Sequence, residues 1–161
     1  MPIRIVTKEV RYIHELSLTL EHSMSISSPA VPGLTQKDAF LAELARFCGR
    51  NNDHILVLGD FNIIRFSSEK NQNTEVHAHS DKFNYIISSY EFIDIHMNGG
   101  KYTWSNNQSP PTLERLDRAL IYKDWEDLFS LVTLHKLPRD ISDHNPIILS
   151  TLADSPKKHI L

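Results

Sequence analysis

The run Ile55-Leu56-Val57-Leu58-Gly59-Asp60-Phe61-Asn62 constrains the fold more than any other stretch of this chain. Four consecutive apolar residues offer no polar face, so they suit a strand buried on both sides. The run ends at Gly59, where backbone or ligand can approach closely, and hands over to a carboxylate and an amide. Asp60 can hold a metal or take a proton from water, and Asn62 can donate to a phosphoryl oxygen. The same residues also read as a tight turn that satisfies its own backbone donors.

The elements around this strand follow from apolar spacing. Phe40, Leu41, Leu44, Phe47 and Cys48 recur at helical intervals, Gly49 can supply the left-handed end, and Thr35 with Asp38 resembles a capping box. Phe83, Ile86, Ile87 and Tyr90 predict a second helix from about Ser80. Phe92 to His96 and Lys101 to Trp104 read as a hairpin through Met97-Asn98-Gly99-Gly100. Leu113 to Tyr122 fits a helix or a strand. A short helix near Trp125 to Phe129 and strands near Leu131 to Leu137 and Pro146 to Leu152 complete the set. Residues 1–22 read equally as strand or helix, and Ser23 to Gly33, rich in Ser, Pro and Gly, reads as a linker. The expected organisation is therefore an N-terminal segment and linker over 1–33, a domain over 34–153, and a tail over 154–161.

Composition narrows the chemistry. With 17 Lys and Arg against 20 Asp and Glu, the formal charge is −3, which disfavours nucleic-acid binding through bulk positive charge. A local basic face drawn from Lys101, Arg115, Arg118 and Lys123 remains open, beside the simpler reading of solvated surface. The single cysteine, Cys48, excludes an internal disulfide and a cysteine-rich zinc site, and reads as a small core residue. No run reaches the ~18 to 20 apolar residues of a membrane helix, and no signal-peptide pattern opens the chain, so an intracellular protein, nuclear or cytoplasmic, is expected. His77 and His79 read as a solvated loop rather than as metal ligands.

A second polar cluster, Ser142-Asp143-His144-Asn145-Pro146, directly precedes the last apolar strand. A carboxylate there suits Mg²⁺, and a histidine bonded to a second carboxylate, with Asp117 as the candidate, can act as a base or as a charged phosphate stabiliser. Asp117 reads equally as a surface ion-pair partner of Arg115 or Arg118.

Taken in order, Gly59-Asp60-Phe61-Asn62, Tyr102-Thr103-Trp104-Ser105, Arg115-Leu116-Asp117-Arg118 and Ser142-Asp143-His144 resemble the endonuclease/exonuclease/phosphatase superfamily. More narrowly they resemble the endonuclease domain of plant non-LTR retrotransposons. The resemblance spans roughly the C-terminal two-thirds of the chain. It implies an α/β (α+β) fold, the C-terminal half of a four-layer αββα sandwich of the deoxyribonuclease I-like type. It implies Mg²⁺-dependent phosphodiester hydrolysis that nicks DNA and leaves a 3′-hydroxyl. Asp60 would orient or deprotonate the attacking water, Asn62 and His144 would hold the phosphate, and Asp117 would orient and charge His144. Asp143 would assist the metal, and Trp104 would help shape the substrate-facing loop region, beside an equal reading as a core or structural residue; Arg115 and Arg118 would face the substrate.

The family's first half also supplies a Glu as principal Mg²⁺ ligand, and Glu9, Glu15 and Glu21 form no matching motif. The expectation is a truncated nuclease remnant, inactive or impaired alone, whose uncovered sheet face invites self-association. Two alternatives stand beside it. One is a compact phosphodiesterase recruiting Glu69 or Glu75 as substitute ligand; the other is a non-catalytic module binding nucleic acid or protein.

Overall fold

The computed structural model describes residues 3–8, 22–25, 33, 35–50, 54–72, 75, 77–124, 131–139 and 141–150. The helices are α1 (Gln36–Arg50) and α2 (Ala78–Ser89). The strands are β1 (Ile3–Lys8), β2 (His22–Ser25), β3 (His54–Asp60), β4 (Phe92–Asp94), β5 (Met97–Asn98), β6 (Trp104–Ser105), β7 (Leu113–Glu114), β8 (Asp117–Tyr122), β9 (Thr133–Lys136) and β10 (Ile147–Ser150). A five-stranded sheet runs β2-β1-β3-β8-β4, a smaller sheet runs β10-β9-β5, and β6 pairs with β7. β1 lies parallel to β2 and β3, whereas β8 is antiparallel to β3 and β4.

Alternation along the central strands builds three layers. Ile55 and Val57 of β3 and Leu120 of β8 face α1 and α2, where they pack with Phe40, Leu44, Phe61, Phe83 and Ile87. Leu56 and Leu58 of β3 and Ala119 and Ile121 of β8 face the smaller sheet, against Met97, Leu134 and Leu149. The apolar run of β3 is thus covered on both sides. Phe61 is fully buried, its ring 5.8 Å from Phe40 and 5.1 Å from Phe83. This pins the residue that follows Asp60 beneath both helices.

Thr35 caps α1 by accepting the Asp38 N–H at 3.1 Å, while its hydroxyl donates to the Asp38 carboxylate at 2.6 Å. Lys82 of α2 reaches the same carboxylate at 2.7 Å and ties the two helices together. Lys82 first and Thr35 second hold the Asp38 carboxyl well below its ordinary range.

The structure corrects several expectations from the sequence. Phe92 to His96 and Lys101 to Trp104 do not form a hairpin. β4 pairs with β8, β5 crosses to the smaller sheet beside β9, and Trp104 pairs with Glu114 of β7. Gly99 serves a close approach, since a Cβ there would lie 2.8 Å from the Lys136 carbonyl oxygen, and its φ is +92°. Leu113 to Tyr122 holds no helix: β7 and β8 lie within it, parted at Arg115 and Leu116, so the strand reading that the resemblance implied and periodicity did not holds over Asp117 to Tyr122. The Ser23 to Gly33 linker begins inside β2, because backbone pairing with β1 overrides a loop-like composition. Over β3 and β8 the expected uncovered sheet face is absent. The helix expected near Trp125 to Phe129 lies outside the described residues. Among the described residues no helix is long and apolar enough to cross a membrane.

Candidate active site

β3 and β8 end side by side, and their register places Asp60 directly opposite Asp117. The chain then leaves β3 as the Phe61 N–H bonds the Leu116 carbonyl at 3.0 Å. Asn62 takes a left-handed φ of 51°, and its N–H donates to Asp60 Oδ1 at 2.8 Å. The tight turn and the polar site are therefore the same feature, a turn that fixes the Asp60 carboxylate and exposes the Asn62 side chain.

His144 arrives from a distant loop. Trp104 and His144 form an isolated antiparallel bridge, flanked by Asn145 N–H to Thr103 O at 2.7 Å and Ser105 N–H to Asp143 O at 3.0 Å. This bonding presses the 142–146 loop against β6. His144 Nδ1 then donates to Asp117 Oδ2 at 2.9 Å, and its Nε2 lies 4.0 Å from Asp60 Oδ2. The bond to Asp117 raises the pKa of His144 most strongly; burial opposes it, and the charges of Asp117, Asp60 and Asp143 reinforce it. The imidazole is held toward its charged form, suited to an anionic ligand.

Asp60, Asp117 and His144 each offer one ligand atom, all within 4.8 Å of one another, a grouping able to hold a metal ion. Yet His144 and Asp117 already spend their near atoms on each other, and imidazole is a poor ligand for Mg²⁺. The donor set fits a hard cation held through the Asp60 carboxylate, with water and substrate oxygens completing the shell, rather than a cage of three side chains. Asp143 stands outside this group, and its Oδ2 accepts the Trp104 indole N–H at 3.0 Å. Trp104 is half-buried and braces the loop that carries His144.

Arg115 and Arg118 require a correction. Both were expected to face the substrate, and both turn inward. Arg118 has no exposed side-chain surface; it bonds Glu69 through both terminal nitrogens and reaches Asp94 Oδ2 at 2.9 Å. Arg115 reaches Asp94 Oδ1 at 2.8 Å, and Arg65 reaches Asp94 Oδ2 at 2.9 Å. A charge taken out of water must find its counter-charge inside, and Arg118 has found two. Glu69, considered as a substitute metal ligand, is buried in this cluster and also accepts the Arg65 N–H at 2.6 Å. Its carboxylate is committed to the fold. Glu75 is exposed.

Thr103 has a positioning role that the sequence does not show. Its buried hydroxyl oxygen accepts the N–H groups of Leu116 at 2.9 Å and Asp117 at 3.0 Å, fixing the backbone that presents Asp117. The Tyr102 to Ser105 motif contains this threonine but does not show its role, because its partners lie 13 and 14 residues away.

The layered α/β fold, with Asp60 and Asp117 at adjoining ends of two central strands and His144 brought to them by a loop, is of the deoxyribonuclease I-like class. The chain matches the profile of the Endonuclease/Exonuclease/phosphatase family over residues 3–144 and belongs to that family. Two solved structures are similar. One is the endonuclease domain of TRAS1, a telomere-specific non-LTR retrotransposon, at 17% identity and a TM-score of 0.55, covering 71% of this chain and 51% of that one. The other is the 3′-5′ exonuclease NExo from Neisseria meningitidis, at 18% identity and a TM-score of 0.52, covering 68% and 51%. The chain thus matches about half the length of each nuclease. No curated protein sequence matches the chain.

Proposed function

We propose that this chain carries the catalytic end of a nuclease that hydrolyses phosphodiester bonds in DNA, of the non-LTR retrotransposon type. The observation that carries this reading is the His144–Asp117 couple facing Asp60 across 4.0 Å. That gap sets an acceptor for a water proton, Asp60 Oδ2, beside a donor for a phosphate oxygen, His144 Nε2. Asp60 orients the attacking water and takes its proton. His144, kept charged by Asp117, donates to a non-bridging phosphate oxygen as negative charge builds on it. Asn62 directs its exposed amide to the same phosphate. Water adds to phosphorus, the P–O3′ bond breaks, and the products are a 3′-hydroxyl and a 5′-phosphate. Magnesium, held through Asp60 with water and substrate oxygens completing its shell, would supply charge neutralisation at the phosphate and the leaving oxygen.

We further infer that the chain alone is a slow catalyst, because a shell resting chiefly on one carboxylate binds Mg²⁺ weakly. The test is conversion of supercoiled to nicked plasmid in Mg²⁺, beside an Asp60→Ala/His144→Ala double variant. Slow nicking by the wild type, absent from the variant and from EDTA controls, supports the reading. Equal rates for both, in protein shown to be folded, overturn it and leave a catalytic relic.

A further inference from the structure

Beside Asn62 lies a cavity of about 150 Å³, walled by the first turns of both helices and by the loop after β3. Lys37, Lys70, His77, His79, Asn62 and Glu114 supply its polar lining. Not all of these charges are available. Lys70 pairs with Glu114 at 2.8 Å, and His79 lies 3.3 Å from Asp38 and 3.2 Å from the Thr35 hydroxyl. Lys37 differs, since among the described residues no carboxylate pairs with it. It occupies the first turn of α1, where a cation opposes the helix dipole and gains nothing for stability. His77, at the start of α2, makes no side-chain cap and stands exposed at the rim. The cavity therefore combines one ammonium that no described carboxylate pairs with, the N-terminus of a helix whose N-cap residue makes no side-chain bond, and continuity with the residue assigned to the scissile phosphate. Its chemistry selects an anion rather than an apolar or cationic group.

We propose that this cavity seats a second phosphate of the bound strand, a neighbour of the one that is cut, with Lys37 as its principal charge. The assignment rests on the nuclease reading and deepens it: a strand whose reacting phosphate lies between His144 and Asn62 continues past Asn62 into the cavity. A backbone phosphate seated there fixes the register of the strand without reading its sequence.

The test is fluorescence anisotropy of the full chain with a short labelled DNA duplex in EDTA, repeated across a salt series. Lys37→Gln should weaken binding several-fold at low salt and shrink the slope of log K against log salt by about 0.9, the loss of one phosphate contact. Lys37→Arg should restore both. Arg50→Gln, exposed at the opposite end of α1 from Lys37, should leave both unchanged. A Lys37→Gln slope equal to that of the wild type, with binding otherwise intact, overturns the cavity assignment and leaves the nuclease reading standing. Absence of any binding by the wild type overturns both. Titration with inorganic phosphate, followed through the NMR signals of Asn62 and His77, separates the two sources of phosphate. Shifts caused by the duplex but not by inorganic phosphate at matched concentration support a strand phosphate. Saturation by inorganic phosphate alone, without duplex binding, overturns the assignment to nucleic acid.

Discussion

His144 and Asp117 stand 27 residues apart in the chain and 2.9 Å apart in space, and the meeting is secured by backbone bonds on either side of each. Thr103 holds the N–H of Asp117 through its hydroxyl and the N–H of Asn145 through its carbonyl, so one residue sets both partners. The pKa of His144 is raised above its ordinary 6.5, chiefly by this bond. A group whose folded pKa exceeds its unfolded one stabilises the fold fully below the unfolded value and loses that contribution as pH rises through the folded value. Stability from this pair is therefore complete below about pH 6.5 and declines above it. Asp117→Asn should lower the His144 pKa, cost about 1 kcal/mol at pH 6, and flatten this part of the pH profile. An NMR titration of the His144 ring beside urea melts at several pH values checks all three.

Arg118→Met tests whether the buried charge cluster belongs to the fold or to the substrate. Removing this guanidinium leaves Glu69 and Asp94 partly uncompensated under β8, at a cost of about 3 to 5 kcal/mol in urea denaturation. Because Arg118 is wholly buried, the salt dependence of DNA binding by the folded fraction should not change. A reduced salt slope would return Arg118 to the substrate face.

Gly99 tests the crossing between sheets. With φ at +92° and the Lys136 carbonyl oxygen 2.8 Å from where a Cβ would sit, Gly99→Ala must displace β5 from β9. A loss of about 2 kcal/mol in thermal or urea unfolding is expected. A neutral substitution would mean that the β5–β9 pairing is not held at this point.

Cys48 offers a probe of opening. It is buried against the helices' core, and burial pushes its thiol up to about 11. In native protein at pH 8 a thiol reagent should label it slowly, and added urea should bring the rate to that of a free thiol. Rapid labelling of native protein would show that α1 separates readily from the sheet.

Several parts of this molecule are legible one element at a time. The stripe Phe40-Leu41-Leu44-Phe47 specifies a helix, and the apolar run before Gly59 specifies a strand buried on both faces, because each pattern is set by neighbours within a few residues. Asp60, Asn62 and the Asp143-His144 pair stand at strand ends, where a rigid element meets a polar loop, and this also marks them locally.

The remainder needed the tertiary structure. Leu113 to Tyr122 carries both periodicities, and only pairing with β3 and β4 makes β8 a strand. Gly99 and Gly100 look like hairpin glycines until the chain crosses from one sheet to the other. Arg115 and Arg118 carry a local signature of surface charge, yet Glu69 and Asp94 meet them inside, 21 to 49 residues away. By itself the sequence determined which segments have an apolar face and which polar residues stand at their ends, since those follow from short-range spacing. Only the tertiary structure decided which of those polar residues meet. Strand register and sheet order bring Asp117 to His144 and turn Arg118 toward Glu69, and these distances depend on pairings that no local window contains.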